Sequence, residues 1–173
     1  MTSQASEYWS DTPEDELSQG DVLEEVLFGV AEYPPCELRK QTVKKHGDVW
    51  VPYSKPCGDR YFNWLGRGRL AMALVISHSC DLDKREGKNR VIVAPVARAS
   101  SIEPRHWENI RAYGRRALFP LPSVPSIGDA YSDLRQLTTV DRAFLEKARK
   151  LCSMSEDGLK LLQRHLVGFL VRG

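Results

Sequence analysis

The chain has 173 residues, of which 42% are hydrophobic and 28% are charged. This composition is typical of a globular domain and excludes a collagen-like or wholly disordered chain. No apolar run reaches the length of a membrane-spanning helix, and the first residues lack the pattern of a signal peptide. We therefore expect a cytoplasmic protein with no membrane partner, built as one domain with an appended tail.

The charges are unevenly distributed, although the formal net charge is only +2. Residues 1–38 contain ten acidic residues and no lysine or arginine, whereas residues 39–173 contain 25 basic and 13 acidic residues. An acidic segment on a basic body favours a negatively charged partner such as nucleic acid. A solvated tail on an ordinary basic domain has the same pattern, and a third hypothesis is that the tail covers a basic face of its own chain.

Three regions are expected along the chain. Residues 1–18 are polar and acidic without a hydrophobic period, which predicts a flexible acidic arm that Tyr8 and Trp9 could dock onto the body. Residues 19–137 predict a barrel-like β domain with a short helix, and residues 138–173 predict a helical hairpin packed on it. Strands followed by helices favour an α+β fold with a small barrel or sheet.

Five strands are expected in the β domain, at residues 22–30, 48–53, 70–77, 90–97 and 117–121. The segment 70–77 is a near-continuous apolar run, so we expect this strand to be buried on both faces. Pro95 indicates that its strand lies at a sheet edge or that the proline lies at a strand end. Residues 78–89 join these two strands, and such long loops in compact domains are often functional.

A short helix is expected after the fourth strand. Ser100 and Glu103 have the spacing of a capping box, and Pro104 follows directly. These signals predict a helix that begins near Pro104 and ends at about residue 113.

The C-terminal third changes to a helical period. Two capping-box motifs, Thr138-x-x-Asp141 and Ser153-x-x-Glu156, each precede an apolar helical face. The first face is formed by Val140, Phe144, Ala148 and Leu151, and the second by Leu159, Leu162, Leu166 and Phe169. The two faces predict an αα-hairpin, in which Cys152 is a small buried hydrophobic residue.

The loop after the most apolar strand concentrates reactive side chains. Four of them, within the segment Ser-His-Ser-Cys-Asp-Leu-Asp-Lys at residues 77–84, are the candidate catalytic residues: His78, Cys80, Asp81 and Asp83. A thiolate at Cys80 needs a nearby base or cation, which His78 or Lys84 could supply. Alternatively, His78 and Cys80 are plausible zinc ligands, whereas the two aspartates could hold Mg²⁺.

The same loop also has a purely structural interpretation. Aspartates cap turns, a cysteine fills a core and a histidine bonds a backbone carbonyl in many proteins without any catalytic role. The sequence leaves these alternatives open, and with them the need for a divalent metal cofactor.

Basic side chains flank the two strands that this loop joins. The candidate nucleic-acid ligands are Arg67, Arg69, Lys84 and Arg90. With Tyr61, Phe62 and Trp64 upstream, they could form a surface that tracks phosphates and stacks bases, although such aromatic residues are more often core. Three further arginines could extend this patch or solvate a helix end: Arg111, Arg115 and Arg116.

Three short segments resemble strands of the PemK/MazF toxin family. They are Gly-Asp-Val at residues 20–22, Ala-Leu-Val-Ile-Ser at residues 73–77 and Val-Ile-Val-Ala-Pro-Val at residues 91–96. The resemblance covers about 80 residues and implies a small SH3-like barrel, a dimeric assembly and endoribonuclease activity. The family's catalytic arginine aligns with Ala71 and its Thr or Ser with Ala97, so the resemblance carries over the barrel and not the catalytic pair.

The whole chain also resembles a group of uncharacterised bacterial proteins. They share a Gln-Gly-Asp start, a central Ser-His-x-Cys-Asp-(Leu/Ile)-Asp-Lys motif and a C-terminal Asp-Leu pair followed by two helices. Here these motifs lie at residues 19–21, 77–84 and 133–134. The group brings no known activity with it.

The sequence is compatible with two functions from different classes. The first is a bacterial protein that acts on nucleic acid, a PemK/MazF-like endoribonuclease relative in a toxin–antitoxin or phage-defence setting, with its site in the loop at residues 77–84. The second is a non-catalytic protein-interaction module in which that loop is structural. The sequence does not decide whether the chain is an enzyme, and it leaves a protein partner or a homodimer open.

Overall fold

The computed structural model describes residues 8–10, 16–30, 49–53, 64–78, 82 and 90–171. They belong to two compact units, the first formed by residues 1–26 and 71–173 and the second by residues 27–70. The first unit is an α+β fold on a curled antiparallel sheet, which confirms the expected fold class.

The strands are β1 (Val22–Val30), β2 (Val49–Tyr53), β3 (Trp64–Val75), β4 (Arg90–Arg98), β5 (Leu118–Val124), β6 (Gly128–Asp133), β7 (Thr138–Asp141) and β8 (Lys150–Cys152). The helices are α1 (Pro104–Arg111), α2 (Arg142–Leu145) and α3 (Glu156–Val171), with single 3₁₀ turns at Ala99–Ser101 and Leu134–Gln136. In the first unit the strand order is β5-β6-β4-β3-β1-β8, and β7 also pairs with β4. In the second unit β2 pairs antiparallel with β3, with Val49 opposite Gly68.

The centre of the first unit is the pairing of β3 with β4. Ala73, Leu74 and Val75 have no exposed surface, which confirms the predicted burial for this part of the segment, whereas Leu70 at its start is 56% exposed and the prediction is wrong there. Their register places Leu74 opposite Ala94. Each large apolar side chain buried in this way stabilises the fold by about 1.5–3 kcal/mol.

Pro95 lies inside β4, opposite Ala73. The prediction that it lies at a sheet edge or at a strand end is therefore wrong. On its other side β4 pairs with β7 over residues 90–93 and with β6 over residues 96–98. Pro95 therefore lies in the stretch between these two partners. A proline has no N–H to contribute to a ladder, so this break in pairing explains how a central strand tolerates it.

The prediction of the first helix of the C-terminal hairpin is wrong. Strand β7, the single turn of α2 and strand β8 occupy residues 138–152 instead. The β-branched run Thr138, Thr139 and Val140 pairs with β4, and Cys152 pairs with Val22 of β1. Free strand edges thus override the helical spacing of the apolar residues, because β-branched residues fit a ladder better than a helix.

The last helix of the hairpin is confirmed as α3, but its cap differs. The amide of Gly158 donates to the Ser155 hydroxyl at 3.1 Å, so Ser155 and not Ser153 caps this helix. Helix α1 begins at Pro104 as expected, yet Glu103 caps it without a side-chain hydrogen bond, so the predicted capping box is wrong. No helix in the described ranges is long and apolar enough to cross a membrane.

Residues 8–10 lie against the first unit, and the predicted docking is confirmed at Trp9. This side chain is only 6% exposed, and its indole Nε1 donates to the Pro122 carbonyl at 2.8 Å. The backbone of the segment also pairs with the chain before α3, where the Ser10 amide donates to the Ser153 carbonyl at 2.9 Å. An aromatic residue outside the predicted β domain therefore completes its core.

Candidate functional site

The candidate loop begins where β3 ends beside β4. The amide of Ile76 donates to the Ile92 carbonyl at 2.9 Å, and the amide of Ile92 donates to the Ser77 hydroxyl at 2.8 Å. The Ser77 side chain thus replaces a backbone partner, and the chain bends there. His78 follows this bend and is exposed, and Arg90 is exposed at the start of β4. The imidazole and the guanidinium therefore belong to the same end of the strand pair.

The other predicted site residues are distributed as follows. Cys80, Asp81, Asp83 and Lys84 lie outside the described residues, as do Tyr61 and Phe62. Arg69 is exposed in the second unit. The backbone of Arg67 pairs with Trp50 in the same unit. Their catalytic and nucleic-acid-binding roles stay predictions.

Leu82 anchors the loop to α2, a feature that the sequence did not reveal. Its side chain is 4% exposed, and its amide donates to the His78 carbonyl at 3.2 Å. Its own carbonyl accepts a hydrogen bond from the Arg142 guanidinium, which also pairs with Glu146 at 2.6 Å. A charged donor fixes this point of the loop more firmly than a neutral donor would.

The Gln-Gly-Asp segment supports the end of β3 from inside the fold. The Gln19 side-chain amide donates to the Ile76 carbonyl at 2.8 Å, and its carbonyl accepts from Gln163 of α3 at 3.0 Å. Gly20 has a φ of +85°, and a Cβ there would lie 2.9 Å from the Cβ of Met154 and 2.7 Å from a terminal methyl group of Leu159. Glycine is therefore required by both conformation and space, and this motif is structural.

Asp21 is the most deeply buried charge of that segment. Its side chain is 0% exposed, and Oδ2 accepts from the Ser18 amide at 2.8 Å and pairs with the Lys150 ammonium at 2.7 Å. Lys150 in turn donates to the Glu16 carbonyl at 2.6 Å. The pair joins β8 to the chain that enters β1.

No cluster of three or more potential metal ligands occurs within the described ranges. Cys80 lies outside them, so the zinc and magnesium hypotheses stay predictions. Cys152 is buried as predicted, and its burial, with a smaller effect from the charge of Asp21, raises the pKa of its thiol to about 12. That thiol is protonated at neutral pH and is not a nucleophile.

A second set of polar and aromatic side chains lies between the turn after α1 and helix α3. Tyr113 and Arg116 come from the turn, and Arg164 and His165 come from the helix. The sequence prediction included Arg116 and missed the other three. The Arg-His pair within an amphipathic helix was the available signal, but only packing shows which turn it faces.

His165 occupies the inner side of this set. Its ring lies 5.2 Å from that of Phe119 and 5.7 Å from that of Tyr113, between ring centroids. Burial lowers the pKa of His165, opposed by a hydrogen bond to the Arg116 carbonyl. Its Nε2 is buried without a hydrogen-bond partner. The neutral imidazole is the form that this environment favours.

The pH dependence of folding should report this burial. The unfolded chain binds a proton at the ordinary histidine pKa of about 6.5, above that of folded His165, so stability falls as pH drops through this window. The contribution is present above pH 6.5 and declines by less than about 1.4 kcal/mol for each pH unit below it. In His165→Asn, urea unfolding at pH 7.0 and 5.5 should give a smaller difference than in the unmodified protein. The same difference in both proteins would contradict the assignment, and His106→Asn is the matched control.

Comparison with models of known protein families gives no match, and comparison with curated protein sequences gives none either.

Proposed function

We propose that this chain acts on nucleic acid and that its site is the β3–β4 loop at residues 77–84. The observation that carries the proposal is that His78, just after β3, and Arg90, at the start of β4, are both exposed at the same end of the strand pair. Imidazole is the side chain most often used for proton transfer, and guanidinium is a strong phosphate ligand. An exposed pair of this kind suits a polymeric phosphodiester better than a small enclosed substrate.

The barrel of this proposal is SH3-like and of the PemK/MazF type. Its support is that the three resembling segments lie in neighbouring strands, since β1, β3 and β4 are adjacent in the first unit. The curled antiparallel sheet is compatible with a small barrel. The family's catalytic pair is absent here, because Ala71 and Ala97 stand at its positions. The proposed relative therefore uses a different constellation for cleavage.

The proposed roles follow the chemistry of each side chain in the loop. His78 is the general acid or base of the cleavage reaction, and Lys84 and Arg90 contact the phosphate. Asp81 and Asp83 orient the reacting groups or hold a divalent metal, and Cys80 is a ligand or a core anchor. RNA is the favoured substrate because of the family resemblance, and a toxin–antitoxin or phage-defence setting comes from the same resemblance.

The test is incubation of the folded protein with total RNA and with plasmid DNA, in Mg²⁺ and in EDTA. We expect cleavage of RNA, and a fall of about 100-fold or more in its rate for His78→Ala. Cys80→Ala and Asp81→Ala should also lose activity. His106→Ala removes a histidine from α1, outside the loop, and should cleave normally. Absence of cleavage, or equal rates in His78→Ala and the unmodified protein, would overturn the proposal.

One observation favours the alternative of a non-catalytic interaction module. The burial of Leu82 and its bond to Arg142 are what a loop with a structural role requires. In that case, His78→Ala and Cys80→Ala should lower the melting temperature while partner binding survives. Loss of activity at an unchanged melting temperature would instead assign the loop as a site.

A further inference from the structure

A cavity of about 400 Å³ opens between the turn after α1 and the C-terminal half of α3. Small-molecule sites in proteins have volumes of about 300–1,000 Å³ and combine apolar walls with a few polar groups. Here the apolar wall is formed by Val167, Gly168 and Val171 of the helix. None of the described residues that line it belongs to the β3–β4 loop, and we consider the cavity a second site.

Two arginines at this cavity have no carboxylate partner in the described part of the chain. Arg116 and Arg164 are both exposed, and no described aspartate or glutamate pairs with either of them. Other arginines of the same unit do pair with carboxylates, namely Arg105, Arg135, Arg142 and Arg149. Two guanidinium groups that line one cavity, with no counter-ion among the described residues, are suited to bind a phosphate.

Tyr113 provides an aromatic wall in a strained conformation. Its amide donates to the Ile110 carbonyl and the amide of Gly114 donates to the Asn109 carbonyl, each at 2.9 Å, which is a Schellman cap. Glycine is usual at this position, but Tyr113 adopts it with a φ of +56°. Such strain persists where the surroundings hold it and is common at ligand sites.

The surroundings of Tyr113 hold its ring in place. Its hydroxyl is hydrogen-bonded to that of Tyr8, and its ring packs against His165 and Phe119. The residue is nevertheless 37% exposed, and it lines the cavity. An accessible ring of fixed orientation is a surface on which a nucleobase can stack.

We infer that this cavity binds a phosphate-bearing nucleoside. The base lies against Tyr113, the phosphate is held by Arg116 and Arg164, and the sugar lies along the apolar wall of α3. A free nucleotide and one nucleotide of a single strand share this chemistry. The inference goes beyond the proposed cleavage activity, because binding here needs no bond to be broken.

The first experiment is calorimetric titration of the full chain with adenosine 5′-monophosphate. Adenosine and ribose 5-phosphate each carry half of the recognised chemistry, and both should bind at least about tenfold more weakly. Arg116→Gln and Arg164→Gln should each lower the affinity for the nucleotide about tenfold. Arg105→Gln makes the same charge change on α1 outside the cavity and should leave the affinity unchanged.

Gly168 allows the cavity to be filled without disturbing the core. A Cβ at this position meets nothing within 4 Å, and the residue lies inside a helix, where glycine is unfavourable. Gly168→Leu should therefore abolish nucleotide binding while its melting temperature stays the same or rises. Gly168→Ala makes the same backbone change with little filling and should still bind.

Two results would overturn the inference. One is equal nucleotide affinity in Gly168→Leu and the unmodified protein, and the other is ribose 5-phosphate binding as tightly as the nucleotide. A single-stranded RNA hexamer separates the two sources. If the hexamer binds more tightly than the nucleotide and Arg164→Gln abolishes this binding, the ligand is a single strand. If the hexamer binds as tightly as the nucleotide and shows the same loss, the ligand is a free nucleotide. Because no cleavage is measured, failure here leaves the proposed nuclease activity untouched, and the converse also holds.

Discussion

Replacing Lys150 with methionine should lower the free energy of unfolding by about 3–5 kcal/mol at pH 7. The methionine keeps most of the apolar length of the side chain but leaves the carboxylate of Asp21 without its cation. That carboxylate has no exposed surface, and its Oδ1 has no hydrogen-bond partner. The uncompensated buried charge is therefore the dominant cost.

A double-mutant cycle separates the ion pair from simple loss of packing. Asp21→Asn removes the charge, so Asp21→Asn/Lys150→Met should be more stable than Lys150→Met alone. The neighbouring Arg149 is a matched control, because it pairs with Glu24 in a more exposed position. Urea unfolding of Arg149→Met should show a loss of less than about 1 kcal/mol. Similar losses in the two methionine variants would show that burial of Asp21 is not the cause.

Replacing Trp9 with alanine should lower the free energy of unfolding by about 3–5 kcal/mol. The indole belongs to the main core cluster, together with Leu74, Phe119 and Leu162. Its removal leaves a cavity among these residues and an unpaired Pro122 carbonyl. Both effects act on the same cluster, so the result is one large loss of stability.

Two milder variants show which part of Trp9 matters. Trp9→Phe keeps an aromatic ring and loses only the indole hydrogen bond, so its urea midpoint should lie between those of Trp9→Ala and the unmodified protein. Tyr8→Phe loses the bond to the Tyr113 hydroxyl, and we expect a change of less than about 1.5 kcal/mol. If Trp9→Ala were as mild as Tyr8→Phe, residues 8–10 would not be part of the core.

The position of Trp9 also changes how the acidic arm should be studied. Deleting residues 1–18 to uncover a basic face would remove Trp9 and Leu17, which are both buried. Loss of folding would then obscure any change in polyanion binding. Neutralising the acidic side chains of the arm while keeping Trp9 is the cleaner test of that hypothesis.

The sequence predicted where most of the candidate site residues lie along the chain. It did not predict how they are arranged in space. The run of reactive residues after β3 indicated the loop, and the basic residue at the start of the next predicted strand indicated Arg90. The anchor between Leu82 and Arg142 spans 60 positions, so no local pattern could predict it. The same holds for the cavity on α3, where Tyr113 and Arg164 meet only because two distant segments pack together.

The sequence by itself determined β1, β2, β4, β5, the part of β3 from Leu70 onward, and the helices α1 and α3, because in each of them local propensity and hydrophobic pattern agree. The tertiary structure decided residues 138–152, where β7 and β8 pair with β4 and β1 in place of a helix. It also decided that Pro95 fits a central strand and that Trp9 completes the core. The physical reason is the same in each case. Residues far away in sequence pair with a free strand edge or fill the core, and these tertiary contacts outweigh the local conformational preferences of those residues.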